Sequence, residues 1–185
     1  MPLIIEPKEN GYRIQAHRQG NDIKILTDGG KERHEILVDL TAELKSLPAD
    51  NFILDGELIL LKNGQPIPRA EMARVGVGKE PIKGEELRYY VFDVPFYEED
   101  ISQKPLSERI KILNKILPKD LEYIKRMPSW EASNKKEYDA AVKKAIAFSG
   151  SEGFMGKELE SLYTVGRGPG WIKMKITKEI KIKTI

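Results

Sequence analysis

Cysteine is absent from all 185 residues. That excludes disulfides, thiolate metal sites and cysteine nucleophiles. Long apolar runs are missing too, and no stretch approaches the roughly 20 residues that a membrane-crossing helix needs. The apolar run after Met1 is too short for a secretory leader. Nor is there a large charge of one sign. Lys and Arg number 31 against 29 Asp and Glu, a formal net charge of +2 in a chain that is 32% charged. Bulk charge therefore makes no case for nucleic acid, and any basic surface has to be a local arrangement. Repeats and low-complexity segments are lacking as well. What these absences leave is a cytoplasmic setting, no membrane, and a chain long enough for one domain with its own core.

The patterns present are hairpin rhythms. Residues 1–8 read as a short strand, and Tyr12 to His17 alternates with period 2. Gly20-Asn21-Asp22 turns the chain into a partner strand, Ile23 to Thr27. Glu35 to Val38 reads as another strand, and Leu40 to Leu47 as a short helix stopped by Pro48. Phe52 to Leu61 is the most strand-like run, closed by the turn Asn63-Gly64. Ala70 to Val77 is a short helix before a Gly/Lys/Pro-rich loop at 78–84. Arg88 to Phe96 is a strand with Arg88, Tyr90, Phe92 and Val94 on one side. Pro105 to Leu117 is a helix with Leu106, Ile110, Leu113 and Leu117 as its stripe. Lys136 to Phe148 is a second, with Tyr138, Ala141 and Ala145 inward and Gly150 past its end. Strand–helix alternation is missing, so the fold class is α+β with mostly antiparallel sheets flanked by helices.

Several residues carry possible chemistry. Lys8 follows Pro7 at a strand end, with Gly11 three and Arg13 five positions on. A deprotonated lysine can attack a phosphorus centre, and an arginine grips phosphate. A solvated lysine on a surface hairpin gives the same pattern. Asp55 and Glu57 lie two apart and share a strand face. Either a cation or donor satisfies them, or the strand is an edge with its polar face in water. From Ser151 to Lys157 a strand carries Glu152, Gly153 and Lys157. A glycine-rich loop at 163–170 leads into Trp171-Ile172-Lys173-Met174-Lys175-Ile176, where Lys173 and Lys175 share a face.

Taken in order, Lys8-x-x-Gly11-x-Arg13, Asp55-Gly56-Glu57, Phe92-Asp93, Glu152-Gly153-x-Met155-x-Lys157 and Trp171-x-Lys173-x-Lys175 resemble five nucleotidyltransferase motifs of ATP-dependent DNA ligases. Each motif is short enough to arise by chance, and it is the order that carries the resemblance. It runs from Ile5 to about Ile176 and also takes in Pro105-Leu106-x-x-Arg109 and the Tyr163 to Gly166-Arg167 segment. The flavour is that of compact archaeal and bacterial enzymes, including the ligase D type. The resemblance implies an adenylation domain over 1–177, followed by a tail, 178–185, leading toward an OB-fold domain that the chain lacks.

It also implies a set of roles. Lys8 is the nucleophile that takes AMP from ATP, assisted by Lys173 and Lys175 as cations beside the α-phosphate. The backbone at Glu6 and Pro7 reads adenine, and Phe92 stacks on it. Arg13 contacts ribose or phosphate, Lys157 reaches the pocket wall or phosphate, and Glu57 meets the ribose or metal. Glu57 and Glu152 bind Mg²⁺. The implied partners are nicked or broken duplex DNA and a separate OB-fold, DNA-binding or repair partner. Two positions depart from the family pattern. Asn10 stands where aspartate precedes the motif glycine, which predicts slower adenylation. Asp28 stands where an arginine is common, which removes a contact to the 5′-phosphate of a nick; Arg18 and Arg33 are the nearby arginines. The alternatives are an RNA ligase or capping-type enzyme, and a non-catalytic domain that binds nucleic acid or a partner.

Overall fold

The computed structural model describes residues 2–76, 78–79, 85–148, 151–164, 166 and 168–176. Most of the 78–84 loop, Gly150, Arg167 and the expected tail at 178–185 lie outside the described residues. Two sheets and four helices make up the described fold. One sheet has four strands, in the order β11 (Trp171–Lys175), β10 (Gly153–Glu158), β1 (Leu3–Pro7) and β9 (Trp130–Ala132). The other runs β3 (Asp22–Thr27), β2 (Tyr12–Gln19), β4 (Asn51–Lys62), β6 (Glu85–Tyr97) and β7 (Glu99–Asp100). Onto this second sheet β5 (Gln65–Pro66) pairs with β4, and β8 (Ile124–Arg126) pairs parallel to β6. All other pairings are antiparallel, as the hairpin rhythms predict.

Strand alternation sorts the larger sheet into an apolar and a polar face. Ile14, Ala16, Leu54, Leu58, Tyr89 and Val91 enter the main core, together with Leu40 and Leu44 of α1 (Val38–Ser46) and Leu113 of α3 (Leu106–Ile116). Met72 and Val75 of α2 (Arg69–Gly76) join them. The smaller sheet packs Ile5 and Ala132 under Ala141 and Ala145 of α4 (Lys135–Ala147). Asn134 caps α4 by accepting the Glu137 N–H at 3.0 Å.

Three local readings are corrected. Residues 35–37 form turns and no strand, because the Ile36 and Leu37 N–H groups both donate to Arg33 carbonyl, and Val38 already opens α1. Val94 leaves the face of Arg88, Tyr90 and Phe92. A bulge opposite Asp55 shifts the register there, and Val94 turns into the core with Val91. In α3 the inward position is taken by Arg109 and not by Ile110. Arg109 is fully buried and forms a two-pronged pair with Asp93, at 2.8 Å through Nε and 2.9 Å through Nη2. Its third nitrogen donates to the carbonyls of Lys104 and Ser161. The Leu106 and Ser107 N–H groups of the first turn donate to Ser161 and Leu159, so the segment after β10 is tied to α3.

No helix among the described residues is long and apolar enough to cross a membrane. Removing one partner of the Asp93–Arg109 pair leaves an uncompensated buried charge. The Asp93→Ala variant should lose about 3–5 kcal/mol of unfolding free energy, read by denaturant titration. A loss under about 1 kcal/mol would mean that the pair is not sealed from water.

Candidate active site

The chain passes from the smaller sheet to the larger at Lys8–Gly11. Beyond Pro7 it still runs beside the approach to β10: Lys8 N–H donates to Gly153 carbonyl at 3.0 Å, and Glu152 N–H to Lys8 carbonyl at 2.9 Å. This brings the Lys8 and Glu152 side chains together as an ion pair. Lys175 Nζ lies 3.6 Å from the same carboxylate oxygen. Burial pushes the Glu152 carboxyl up, but the hydrogen bond and charge of Lys8, joined by Lys175, outweigh it and hold the group below its ordinary value.

Gly11 then grazes β4. A Cβ there would stand 2.2 Å from Leu58 carbonyl oxygen, so only glycine permits the approach. The Gly11 N–H donates to Glu57 Oε1 at 2.9 Å. Burial still dominates and raises the Glu57 carboxyl to about 7, against that hydrogen bond and the Lys8 charge. Glu9, which the motif reading passed over, is 5% exposed, and neither of its carboxylate oxygens has a hydrogen-bond partner. Burial first, and then the Glu57 charge, push it up to about 8.

The two acids of β4 have different fates. Asp55 is fully buried, and β4 lies between β2 and β6, so the edge-strand alternative is excluded. Arg13 donates to Asp55 through Nε at 3.0 Å and Nη2 at 2.6 Å, and the Tyr163 hydroxyl donates at 2.7 Å. The Asp55 hydrogen bond holds the Arg13 guanidinium further above its ordinary value. Burial, then the Asp55 charge, raises Tyr163.

At the other end of the cleft stands Lys157. It is 1% exposed, with Nζ 4.5 Å from the Phe92 ring centroid and 3.9 Å from that of Trp171. Phe92 and Trp171 meet edge to face, their centroids 5.9 Å apart. Lys157 Nζ is 2.5 Å from Glu6 Oε2, a contact of charges outside hydrogen-bond geometry, and Arg126 flanks the other Glu6 oxygen at 3.7 Å. Burial pushes the Lys157 ammonium down, against the Glu6 charge.

Glu6, Pro7, Lys8, Arg13, Glu57, Phe92, Lys157 and Lys173 line one cleft of about 320 Å³ between the sheets. Eight of the ten residues singled out in the sequence thus share a cavity, Glu152 joins it through Lys8, and Lys175 through Glu152. Lys175 is drawn to Glu152, while Lys173 faces the cavity. Met127 and Met155 add apolar walls, Arg69 adds a cation, and Asp28 also lines the cleft. Arg69 was not legible from a motif; it lies over the Tyr12 ring at 5.0 Å. Arg18 does not serve the cleft, since Asp50 and the carbonyls of Gly20, Leu44 and Leu47 engage it.

A lysine, carboxylates and aromatic rings lining one cleft between two mostly antiparallel sheets have the layout of an adenylation-type nucleotidyltransferase domain. The chain matches the family described as "ATP dependent DNA ligase domain" over residues 1–175, and it belongs to that family. It is 35% identical over 175 residues to the "Probable DNA ligase" of Pseudarthrobacter chlorophenolicus, covering 92% of this chain and 33% of that protein. With the "DNA ligase" of Methanococcus vannielii it shares 31% over 196 residues, covering 94% and 34%. The chain therefore spans about a third of the length of the curated relatives it matches. Among solved structures it resembles the ligase domain of M. tuberculosis LigD, with a TM-score of 0.70 at 18% identity, covering 94% of this chain and 55% of that one. It also resembles Chlorella virus DNA ligase–adenylate, with a TM-score of 0.64 at 21% identity, covering 95% and 62%. At these identities the likeness is one of fold.

The raised carboxyls set a pH dependence. Above pH 4.5 the unfolded chain has released the Glu9 proton while the folded chain keeps it up to about 8, so stability falls across that window. In EDTA, Glu9→Gln should leave the melting temperature near that of the parent at pH 5 and raise it at pH 8.5. Equal shifts at both pH values would refute the assignment.

Proposed function

We propose that this chain is the adenylation domain of an ATP-dependent DNA ligase and that Lys8 is its nucleophile. The observation that carries the reading is Lys8, paired with Glu152, at one end of a cleft whose other end is the Phe92–Lys157–Trp171 slot. Lys8 Nζ, freed of a proton, attacks the α-phosphorus of ATP. The nitrogen–phosphorus bond forms, the bond to the bridging oxygen breaks, and pyrophosphate leaves. Glu152 orients the amine by its ion pair, a positioning contribution of the kind that dominates phosphoryl transfer. Lys173 and Lys175 supply positive charge for the phosphate oxygens. Phe92 offers a ring face to adenine, with the Glu6–Pro7 backbone along its edge, and Arg13 offers the exposed side of its guanidinium to ribose or phosphate. Lys157, held by Glu6, stiffens the slot wall.

The donor set suits Mg²⁺, since Glu57 and Glu152 provide hard carboxylate oxygens. Such an ion would offset charge on the phosphates. In later steps AMP passes to the 5′-phosphate of nicked or broken duplex DNA, and a 3′-hydroxyl displaces it. A separate OB-fold or DNA-binding partner would assist, in the cytoplasm that the cysteine-free composition fits.

Incubation with Mg²⁺ and ATP labelled at the α-phosphate should place acid-labile label on the protein, lost in Lys8→Ala. Label from GTP alone would favour a capping-type enzyme. The absence of label from either nucleotide, with an OB-fold domain supplied in trans, would sink the adenylation reading. In the same assay Asn10→Asp should label faster than the parent.

A further inference from the structure

Glu9 is the acid that neither the ion pairs nor the hydrogen bonds of the cleft account for. It is 5% exposed with both carboxylate oxygens unpartnered, and it lines the same cavity as Glu57 and Lys8. A buried carboxylate in that condition is costly unless a further group compensates it. The neighbouring cations are committed elsewhere. Lys8 pairs with Glu152, Arg13 with Asp55, and Arg69 lies over Tyr12.

We propose that Glu9 and Glu57 together form the seat of the divalent cation that accompanies the nucleotide. The proposal rests on the adenylation reading and adds a ligand to it. Two carboxylates are what a magnesium-type site in a nucleotide enzyme uses, with water and phosphate oxygens completing the sphere. Among the described residues no three acids or histidines are gathered as a ready metal site, which agrees with a seat that the nucleotide completes. Glu152 contributes less at this position because Lys8 and Lys175 already hold it. Asn10, neutral and exposed, brings no charge to the cleft.

The test uses Mn²⁺ as the probe, with free ion counted by electron paramagnetic resonance, with and without a non-hydrolysable ATP analogue. Glu9→Gln should weaken Mn²⁺ binding by about tenfold or more, a loss typical of a disturbed metal site. Glu57→Gln should match it, and Glu152→Gln, whose carboxylate Lys8 and Lys175 already hold, should weaken it less. Glu9→Asp, which keeps the charge but shortens its reach, should fall between parent and Glu9→Gln, and it reads the seat if Glu9→Gln fails to fold. Equal Mn²⁺ affinity in parent and Glu9→Gln, or in parent and Glu9→Asp when Glu9→Gln does not fold, overturns the proposal. A parent whose Lys8 takes no label while Glu9→Gln still loses Mn²⁺ would keep the seat and remove the adenylation reading. A labelled parent with Mn²⁺ affinity indifferent to Glu9 would do the reverse.

Discussion

The cleft depends on one buried carboxylate. Asp55 lies in the middle of the larger sheet, on the face away from the main core, and it has no access to water. A lone charge there would be intolerable, and three donors from two separate parts of the chain meet it. Arg13 comes from the adjacent strand and Tyr163 from the loop beyond β10, which continues the smaller sheet. The demand of one acid for partners therefore clasps the two sheets together. Tyr163 in turn is anchored through its N–H to Ser102 carbonyl at 2.9 Å. Asp93, a second buried acid, does the same work from the α3 side through Arg109.

Much of this was legible in the sequence, for definable reasons. Alternation over Tyr12–His17 and the long apolar run Phe52–Leu61 gave strands because each sends an apolar face into the main core, while Arg13 and Glu57 reach the cleft. The motif lysines and acids were legible by their order along the chain. Asp93 and Arg109 were noticed only as fragments of motifs, since a pair 16 residues apart leaves no periodic trace. Val94 was misassigned because a bulge advances the register by a residue, and no local composition announces it. Residues 35–37 looked like a strand by composition, yet their N–H groups found partners within the same turn. Glu9 was invisible for a simpler cause. It sits where the strand period has stopped, so nothing in the pattern says whether it faces water or the interior.

The cleft also separates two electrostatic regimes. Around Lys157 a positive charge is held among aromatic rings and one acid, a setting that favours flat, polarisable ligands. Around Lys8 charges of both signs meet: Lys8 and Lys175 hold Glu152, while burial raises the Glu9 and Glu57 carboxyls to about 8 and about 7. On the proposed adenylation reading, a nucleotide laid along the cleft would have its base in the first region and its phosphates in the second.

Lys8, Glu9, Asn10 and Gly11 form one covalent bridge between the sheets, and Met127, Pro128 and Ser129, between β8 and β9, form another. Lys8 is still bonded to the approach to β10, and Gly11 already leans on β4. So short a bridge has no slack. Any spreading or closing of the sheets must strain both short crossings, and one of them is the backbone that carries the lysine, so the cleft's aperture and the reach of its amine are mechanically coupled.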